Sequence, residues 1–228
     1  MRKARVALSL KARKPRGKDG IQSPIPTQEL IGRGVELVGP VVDGTTGVIV
    51  ALSDGGRHRS MLTDRGVGPR LSAASITTSW LDGASWLHLP AYSLTSEPVA
   101  GAALAAVTAA RDHDARISVD LSSTAAISAF GVAAFRDLLG GIRPDLVFGN
   151  EAETDLVGDL PRTEVISKLG AAGVVVAGRR YPAAQTEPVD ATGAGDAFAA
   201  GYLVGGVALG LAAAARAVAT IGGMPGGT

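Results

Sequence analysis

Asp196 lies in a glycine-rich stretch, VDATGAGDAF (189–198), that comes directly before a long apolar segment. Gly193 and Gly195 permit a tight backbone turn, and neither places a Cβ atom in the way of an approaching ligand. If a helix begins near Gly195, the unpaired amides of Ala194, Gly195 and Asp196 form an anion-binding site at its positive end. The helix dipole then stabilises the ionised Asp196 carboxylate by ~0.3–1 kcal/mol.

An ionised carboxylate beside an anion-binding site suits phosphoryl transfer. Asp196 can take the proton of a hydroxyl group while the neighbouring amides hold the phosphoryl group that moves onto that hydroxyl. These residues alone leave a second interpretation open, in which Thr192 is the N-cap of an ordinary helix with an acidic first turn.

Two further polar or glycine-rich stretches follow β-like runs of sequence. The first is Asn150-Glu151-Ala152-Glu153 and the second is KLGAAG (168–173). Asn150 and Glu153 stand at i and i+3, so on a helix both side chains reach the same site. In a parallel sheet, ligands bind beyond the carboxyl ends of the strands. We therefore predict one site formed by these two stretches and the segment 190–196.

The elements that must position these residues alternate between strand and helix patterns from residue 71 onward. The predicted strands are WLHLPAY, ARISVDLSS, PDLVFGN and two strands within EVISKLGAAGVVVAG; the predicted helices are EPVAGAALAAVTAARDHD, AFGVAAFRDLLGGI, EAETDLVG and the apolar C-terminal segment. Upstream, residues 46–62 contain two β-rich runs around a turn, which is typical of a hairpin. This alternation predicts an α/β fold, a three-layer structure with a mostly parallel sheet and helices on both faces.

The composition excludes some classes of protein. The 228 residues include no cysteine, so a disulfide framework and a cysteine-ligated zinc site are both excluded. With three histidines, a histidine-based hydrolase triad has little support, and His88 within WLHLPAY is expected to be a core residue.

The formal net charge of +1 hides a strongly basic start. Residues 1–20 carry eight Lys/Arg against Asp19, a balance of +7, and the remaining 14 basic and 20 acidic residues give −6. We predict an irregular, solvated basic tail over residues 1–28. A nucleic-acid or lipid-binding arm is the alternative, but no aromatic side chain is interleaved for base stacking.

The segment 197–215 is a candidate membrane-spanning helix, because its 19 residues carry no charge. That length can span a bilayer, and the segment contains two small-xxx-small spacings. Alanine and glycine predominate over leucine and isoleucine, however, so insertion would be weakly driven. A core helix of a soluble protein is the favoured interpretation.

DATGAGDAFAAGYL (190–203) resembles the C-terminal signature of the ribokinase-like (PfkB-type) carbohydrate and nucleoside kinases. NEAE (150–153) resembles the family's Asn-x-x-Glu element, which organises magnesium and the phosphates, and KLGAAG resembles the turn beside the nucleotide. The three motifs occur in the family's order, and looser similarity extends from about Val35 to Gly223. No P-loop pattern occurs, so a P-loop kinase is not the competing interpretation.

The resemblance implies a role for each matched residue. Asp196 is the expected general base, and the expected anion hole consists of Gly193, Ala194 and Gly195. For magnesium and ATP, the expected ligands are Glu153 with Asn150, and the expected nucleotide-binding residues are Lys168, Gly170 and Gly173. Asp190 and Thr192 match a position that holds a monovalent cation in many members, which makes K⁺ a candidate; simple capping is their alternative role.

The resemblance also implies a function and a domain organisation. Residues 29–228 are the expected ribokinase-like domain, and a hairpin at about 46–63 is the expected partial small β lid. The expected activity is ATP-dependent transfer of the γ-phosphate to a hydroxyl of a sugar or nucleoside, in the cytoplasm. A homodimer is left open, and no nucleic-acid or membrane partner is expected.

The chain departs from the family pattern in its first part. The family's first strand and its glycine-glycine segment, which bring sugar-contacting residues, have no counterpart before Val35, and residues 158–164 are too few for the usual helix. The sequence therefore does not predict which sugar or nucleoside is the acceptor. Two alternatives stay open: a nucleotide-binding but catalytically impaired remnant, and a small membrane or interaction protein that uses segment 197–215.

Overall fold

A computed structural model describes residues 5–7, 11–13, 27–53 and 59–222. Most of the predicted basic tail lies outside these residues, as does the turn of the predicted hairpin at 54–58. Within the tail, β1 (Arg5–Ala7) and β2 (Lys11–Arg13) are strands, so the prediction of irregular structure is wrong there. The reason is tertiary, because both strands pair with segments some thirty residues further along the chain.

The chain divides into two compact units, residues 1–87 with 92–116 and residues 88–91 with 117–228. In the first unit, β1 pairs in parallel with β3 (Glu36–Val38), and β2 pairs in parallel with β4 (Val41–Asp43). The helix α1 (Thr27–Gly32) precedes β3 in this unit.

The predicted hairpin is confirmed as β5 (Thr46–Ser53) and β6 (Arg59–Gly66), an antiparallel pair in which Val50 lies opposite Leu62. The same unit contains α2 (Val99–Asp112), which packs against three short 3₁₀ turns at 68–70, 73–75 and 78–81. Six alanines of α2 are buried, and this small-residue face lets the turns approach closely.

The second unit is built on the predicted sheet, which has six strands in the order β12-β11-β10-β9-β8-β7. These strands are β7 (Trp86–Pro90), β8 (Arg116–Asp120), β9 (Leu146–Asn150), β10 (Glu164–Lys168), β11 (Val174–Val176) and β12 (Arg179–Tyr181). β8, β9 and β10 run parallel, whereas β11 and β12 are antiparallel additions. The mostly parallel sheet of the sequence prediction is therefore confirmed.

Helices cover both faces of this sheet. On one face, α5 (Glu151–Val157) packs on β9 and β10, with α3 (Thr124–Phe130) and α4 (Val132–Ile142) packed against α5. On the other face, Phe148 contacts Phe198 and Tyr202 of α6 (Ala194–Val218) edge-on. Since Phe148 is fully buried, it forms the centre of the core between the sheet and α6. The predicted three layers are present in this unit.

The long apolar helix α6 is divided at Gly205 and Gly206, where the backbone leaves helical geometry. A Cβ atom at Gly201 would lie 2.9 Å from the Gly210 Cα, so the two halves of α6 pack tightly against each other across the break. By length and hydropathy alone the helix could cross a membrane. Residues nine apart in a straight helix are about 13 Å apart along its axis, so this segment is folded on itself rather than extended across a bilayer.

Candidate active site

Two charged side chains end strands of the sheet on the face that α6 covers. The register pairs Asp120 with Phe148 and Ile166 with Phe148. Residues paired across a sheet lie on the same face, as do residues two apart along a strand. Asp120 at the end of β8 and Lys168 at the end of β10 therefore lie on the Phe148 face, at the carboxyl edge where the sequence predicts a site.

Asp120 and Lys168 form an ion pair across the end of β9. The Lys168 ammonium nitrogen lies 2.6 Å from Asp120 Oδ2, and the side chains are only 17% and 7% exposed. The other carboxylate oxygen of Asp120 accepts a hydrogen bond from the Ser122 amide at 3.0 Å, and the Ser122 hydroxyl shares its one proton between this oxygen at 3.3 Å and the Asp120 backbone carbonyl at 3.0 Å. Both oxygens of the buried carboxylate are thus held in place.

Ser122 itself has a left-handed backbone, with φ 57°. A non-glycine residue in this region costs energy unless its surroundings support it. Here the support comes from the hydrogen bonds that the Ser122 amide and hydroxyl donate to Asp120. Sequence reasoning did not single out Asp120, and the signal available was an acidic residue at the end of an otherwise apolar strand.

The start of α6 forms much as the glycine-rich stretch predicts, with two corrections. The N-cap is Gly193, in the left-handed region at φ 77°, and it is not Thr192. The Ala194 amide donates to the Ala191 carbonyl at 3.2 Å, so it is not an unpaired amide. Within the part of the chain that the structure describes, the amides of Gly193, Gly195 and Asp196 have no hydrogen-bond partner.

Lys168 lies directly beside this helix start. A Cβ atom built on Gly195 would lie 3.3 Å from the Lys168 ammonium nitrogen. The structure thus places a cation, three unpaired amides and the exposed Asp196 carboxylate together, although Lys168 precedes Gly195 by 27 residues in the chain. An ammonium group and free helix N-terminal amides both favour the binding of a phosphate group.

Asn150 and Glu153 contact each other at the start of α5. The Asn150 side chain accepts a hydrogen bond from the Glu153 amide, and Glu153 Oε2 accepts one from the Asn150 amide, both at 2.9 Å. The two residues thus form a reciprocal capping box, in which Glu153 is buried at 6% exposure.

The pair nevertheless fits a hydrated magnesium ion. Glu153 Oε1 takes part in no hydrogen bond among the described residues, and it is not a buried atom that lacks a partner, so solvent reaches it. Mg²⁺ commonly binds one or two carboxylates and completes its shell with phosphate oxygens and water.

Gly170 and Gly173, the two glycines predicted to contact the nucleotide, have different surroundings in the turn after β10. Gly173 has φ 94°, and a Cβ atom there would overlap the Tyr181 carbonyl oxygen and lie 2.7 Å from the Ala183 amide nitrogen. The packing of the protein's own backbone therefore requires a glycine at this position, and the contact of Gly173 with a nucleotide stays a prediction. At Gly170, with φ 58°, nothing lies within 4 Å of the Cβ position, so a ligand has room to approach.

Asp190 organises the loop that leads into α6. Its Oδ1 accepts hydrogen bonds from the Thr192 amide at 2.9 Å and hydroxyl at 2.7 Å, and its Oδ2 accepts one from the Gly222 amide at 3.0 Å. A carboxylate offers about four lone-pair sites, and at least three are thus occupied. The residues predicted to hold a monovalent cation therefore stabilise the loop.

His88 lies near this site, and the prediction that it is a core residue is wrong, because its side chain is exposed on the outermost strand of the sheet. Its Nδ1 is 2.9 Å from the Ser118 hydroxyl and its ring meets Phe148 edge-on. Although His88 is partly exposed, desolvation by the surrounding protein lowers the pKa of its ring below the ordinary value. Lys168 also lowers this pKa, while Asp120 and Asp196 raise it.

The chain was compared with protein families and solved structures. The family model described as pfkB family carbohydrate kinase matches residues 27–224. Adenosine kinase from Sinorhizobium meliloti is similar with a TM-score of 0.77 and 24% identity, over 87% of this chain and 69% of that one. An E. coli protein described as a ribokinase II, in complex with ATP and Mg²⁺, has a TM-score of 0.72 and 24% identity, over 86% and 73% of the chains.

A third similar structure is a fructokinase double mutant from Vibrio cholerae O395 bound to fructose, ADP and potassium. Its TM-score is 0.65 and its identity 21%, over 86% of this chain and 75% of that one. These likenesses show the α/β fold, and the family model covers most of the chain. The chain therefore belongs to the pfkB family of carbohydrate kinases.

Proposed function

We propose that this protein transfers the γ-phosphate of ATP to a hydroxyl group of a sugar or nucleoside. The observation that carries the proposal is the cluster at the start of α6, where the Lys168 ammonium lies beside Gly195, next to unpaired amides and the exposed Asp196 carboxylate. A transferring phosphoryl group needs positive charge and aligned amides, and its acceptor needs a base.

In this proposal Asp196 accepts the proton of the acceptor hydroxyl. Asp196 lies in the first turn of α6, where the helix dipole favours negative charge. The amides of Gly193, Gly195 and Asp196, together with the Lys168 ammonium, hold the phosphoryl oxygens. Gly170 leaves room for the nucleotide beside the turn that follows β10.

Glu153, oriented by Asn150, would hold a magnesium ion through the oxygen that the capping box leaves free. Magnesium at this place would neutralise charge on the phosphates. A monovalent cation at Asp190 and Thr192 draws support only from the family resemblance and from the potassium in the fructokinase structure. Cytoplasmic localisation and a sugar or nucleoside acceptor likewise belong to the proposal.

The test combines a binding measurement with a turnover measurement. Calorimetry should show that ATP binds more tightly with magnesium than without, and a screen of pentoses, hexoses and nucleosides should reveal ADP release with at least one acceptor. Asp196→Asn should then lower turnover by roughly 10²- to 10⁴-fold, the usual range for loss of a general base, while ATP affinity stays nearly unchanged.

Asp137→Asn is the matched control, because Asp137 is an exposed carboxylate on α4 and should be neutral in both measurements. Retention of more than about a tenth of the rate by Asp196→Asn would refute the role of the base. Magnesium-dependent ATP binding without turnover on any acceptor would show instead that the protein binds nucleotide but is catalytically impaired.

A further inference from the structure

Stability alone does not explain why the Asp120–Lys168 ion pair is buried. Burying two charges costs desolvation free energy that their attraction only about offsets, so a buried pair is weak evidence of a stabilising role. Both side chains are largely buried, and they come from strands that are separated by β9. Two well-packed hydrophobic side chains at these positions would stabilise the core at least as much.

The Lys168 ammonium retains hydrogen-bonding capacity beyond this pair. An ammonium group has three N–H donors, and within the described residues one of them is engaged, by Asp120. The nitrogen lies 3.3 Å from the Cβ position of Gly195, at the first turn of α6. Lys168 can therefore contact Asp120 and a phosphate oxygen at the same time.

We propose that Asp120 is a positioning residue, which holds the Lys168 ammonium against the first turn of α6 as the cation that contacts the ATP phosphates. Asp120 suits this role because the Ser122 amide, with its hydroxyl nearby, holds the carboxylate in place. A flexible lysine side chain loses rotamer entropy when it is ordered, and a fixed partner orders it before the phosphate arrives. The inference rests on the proposed function, since it presumes that ATP binds here.

A double-mutant cycle separates positioning from a general effect on the fold. ATP affinity would be measured by calorimetry for the wild type, Asp120→Asn, Lys168→Met and the double variant, with the melting temperature of each. We expect Lys168→Met to weaken binding about 10- to 100-fold, the order of one charge-assisted contact. Asp120→Asn should weaken binding several-fold when Lys168 is present and leave it unchanged, within about twofold, when Lys168 is Met.

The melting temperatures provide a second, independent readout. Lys168→Met leaves the buried Asp120 carboxylate without its partner and should destabilise the protein, and the double variant should regain stability because it removes that unpaired charge. Asp145→Asn is the control. Asp145 accepts the Ile117 amide at 2.8 Å just before β9 begins, at the amino edge of the sheet, so its loss should lower stability without changing ATP affinity.

Each outcome bears on the inference. An equal loss of ATP affinity from Asp120→Asn in both Lys168 backgrounds would show a general structural role and overturn it. A gain in affinity would show that the carboxylate opposes the phosphates, and it would overturn the inference as well. If the wild type binds no ATP, the proposed function fails together with this inference, whereas the first two results leave the proposed function standing.

Discussion

Gly195→Ala should make the protein slightly more stable and a weaker binder of ATP. Gly195 lies within α6 and its φ is not positive, so alanine can adopt its backbone conformation. Replacing glycine by alanine at such a position stabilises a protein by ~0.4–1 kcal/mol, mainly because the unfolded chain has fewer conformations. For a domain of this size, that corresponds to a melting temperature higher by roughly 1–4 °C.

The added methyl group would meet Lys168. Its carbon would lie 3.3 Å from the ammonium nitrogen and 3.9 Å from Cδ and Cε, so the lysine must shift by a few tenths of an ångström. The methyl group also occupies space beside the unpaired amides, where the phosphate is proposed to bind. Loss of one charge-assisted contact costs ~1.5–3 kcal/mol, which is roughly a 10- to 150-fold loss of ATP affinity.

The assay is calorimetric titration with ATP and magnesium, run beside thermal unfolding. Gly140→Ala is the matched control, because Gly140 lies within α4 and nothing approaches its Cβ position within 4 Å. It should give a similar gain in stability with unchanged affinity. If Gly195→Ala is stabilised and binds ATP as tightly as the wild type, Gly195 does not border the phosphate site and the reasoning is refuted.

Two further substitutions test the surroundings that the structure gives Gly173 and His88. Gly173→Val should unfold the protein or lower its melting temperature strongly, because the side chain would overlap the Tyr181 carbonyl; a stable variant that has only lost ATP affinity would contradict this packing. For His88 the folded-state pKa is lowered, so the unfolded chain binds more protons below about pH 6.5 and stability falls as the pH drops through that value. The melting temperature of the wild type, relative to His88→Gln, should therefore decline from pH 7 toward pH 5, and a constant difference would show that His88 does not titrate with folding.

The Lys168–Asp120 pair shows what single-sequence reasoning misses. The two residues are 48 positions apart, and no local sequence motif identifies either one as the partner of the other. They meet because the sheet order sets β9 between β8 and β10, so that a lysine can reach across one strand. Pairing between distant segments depends on strand order and register, and local patterns do not encode these directly.

The glycines of the site show the same limit in a different way. Gly170, Gly173 and Gly195 look alike in the sequence, yet Gly170 borders open space, Gly173 faces the backbone near β12 and Gly195 faces the Lys168 ammonium. A glycine in a motif indicates that a side chain at that position would be sterically unfavourable. What would collide with that side chain is decided by elements elsewhere in the chain.

The sequence by itself determined the elements, the α/β class and the family. Apolar runs between glycine and polar stops predicted the strands and helices, because hydrophobic period and capping act over a few residues. The capping pair Asn150–Glu153 and the helix start near Gly195 are local in the same sense. Tertiary structure alone decided that Lys168 lies beside that helix start, that His88 is exposed and that α6 folds back at Gly205 and Gly206. These outcomes depend on which distant surfaces pack together, and the free energy of that packing belongs to the whole fold rather than to any segment of it.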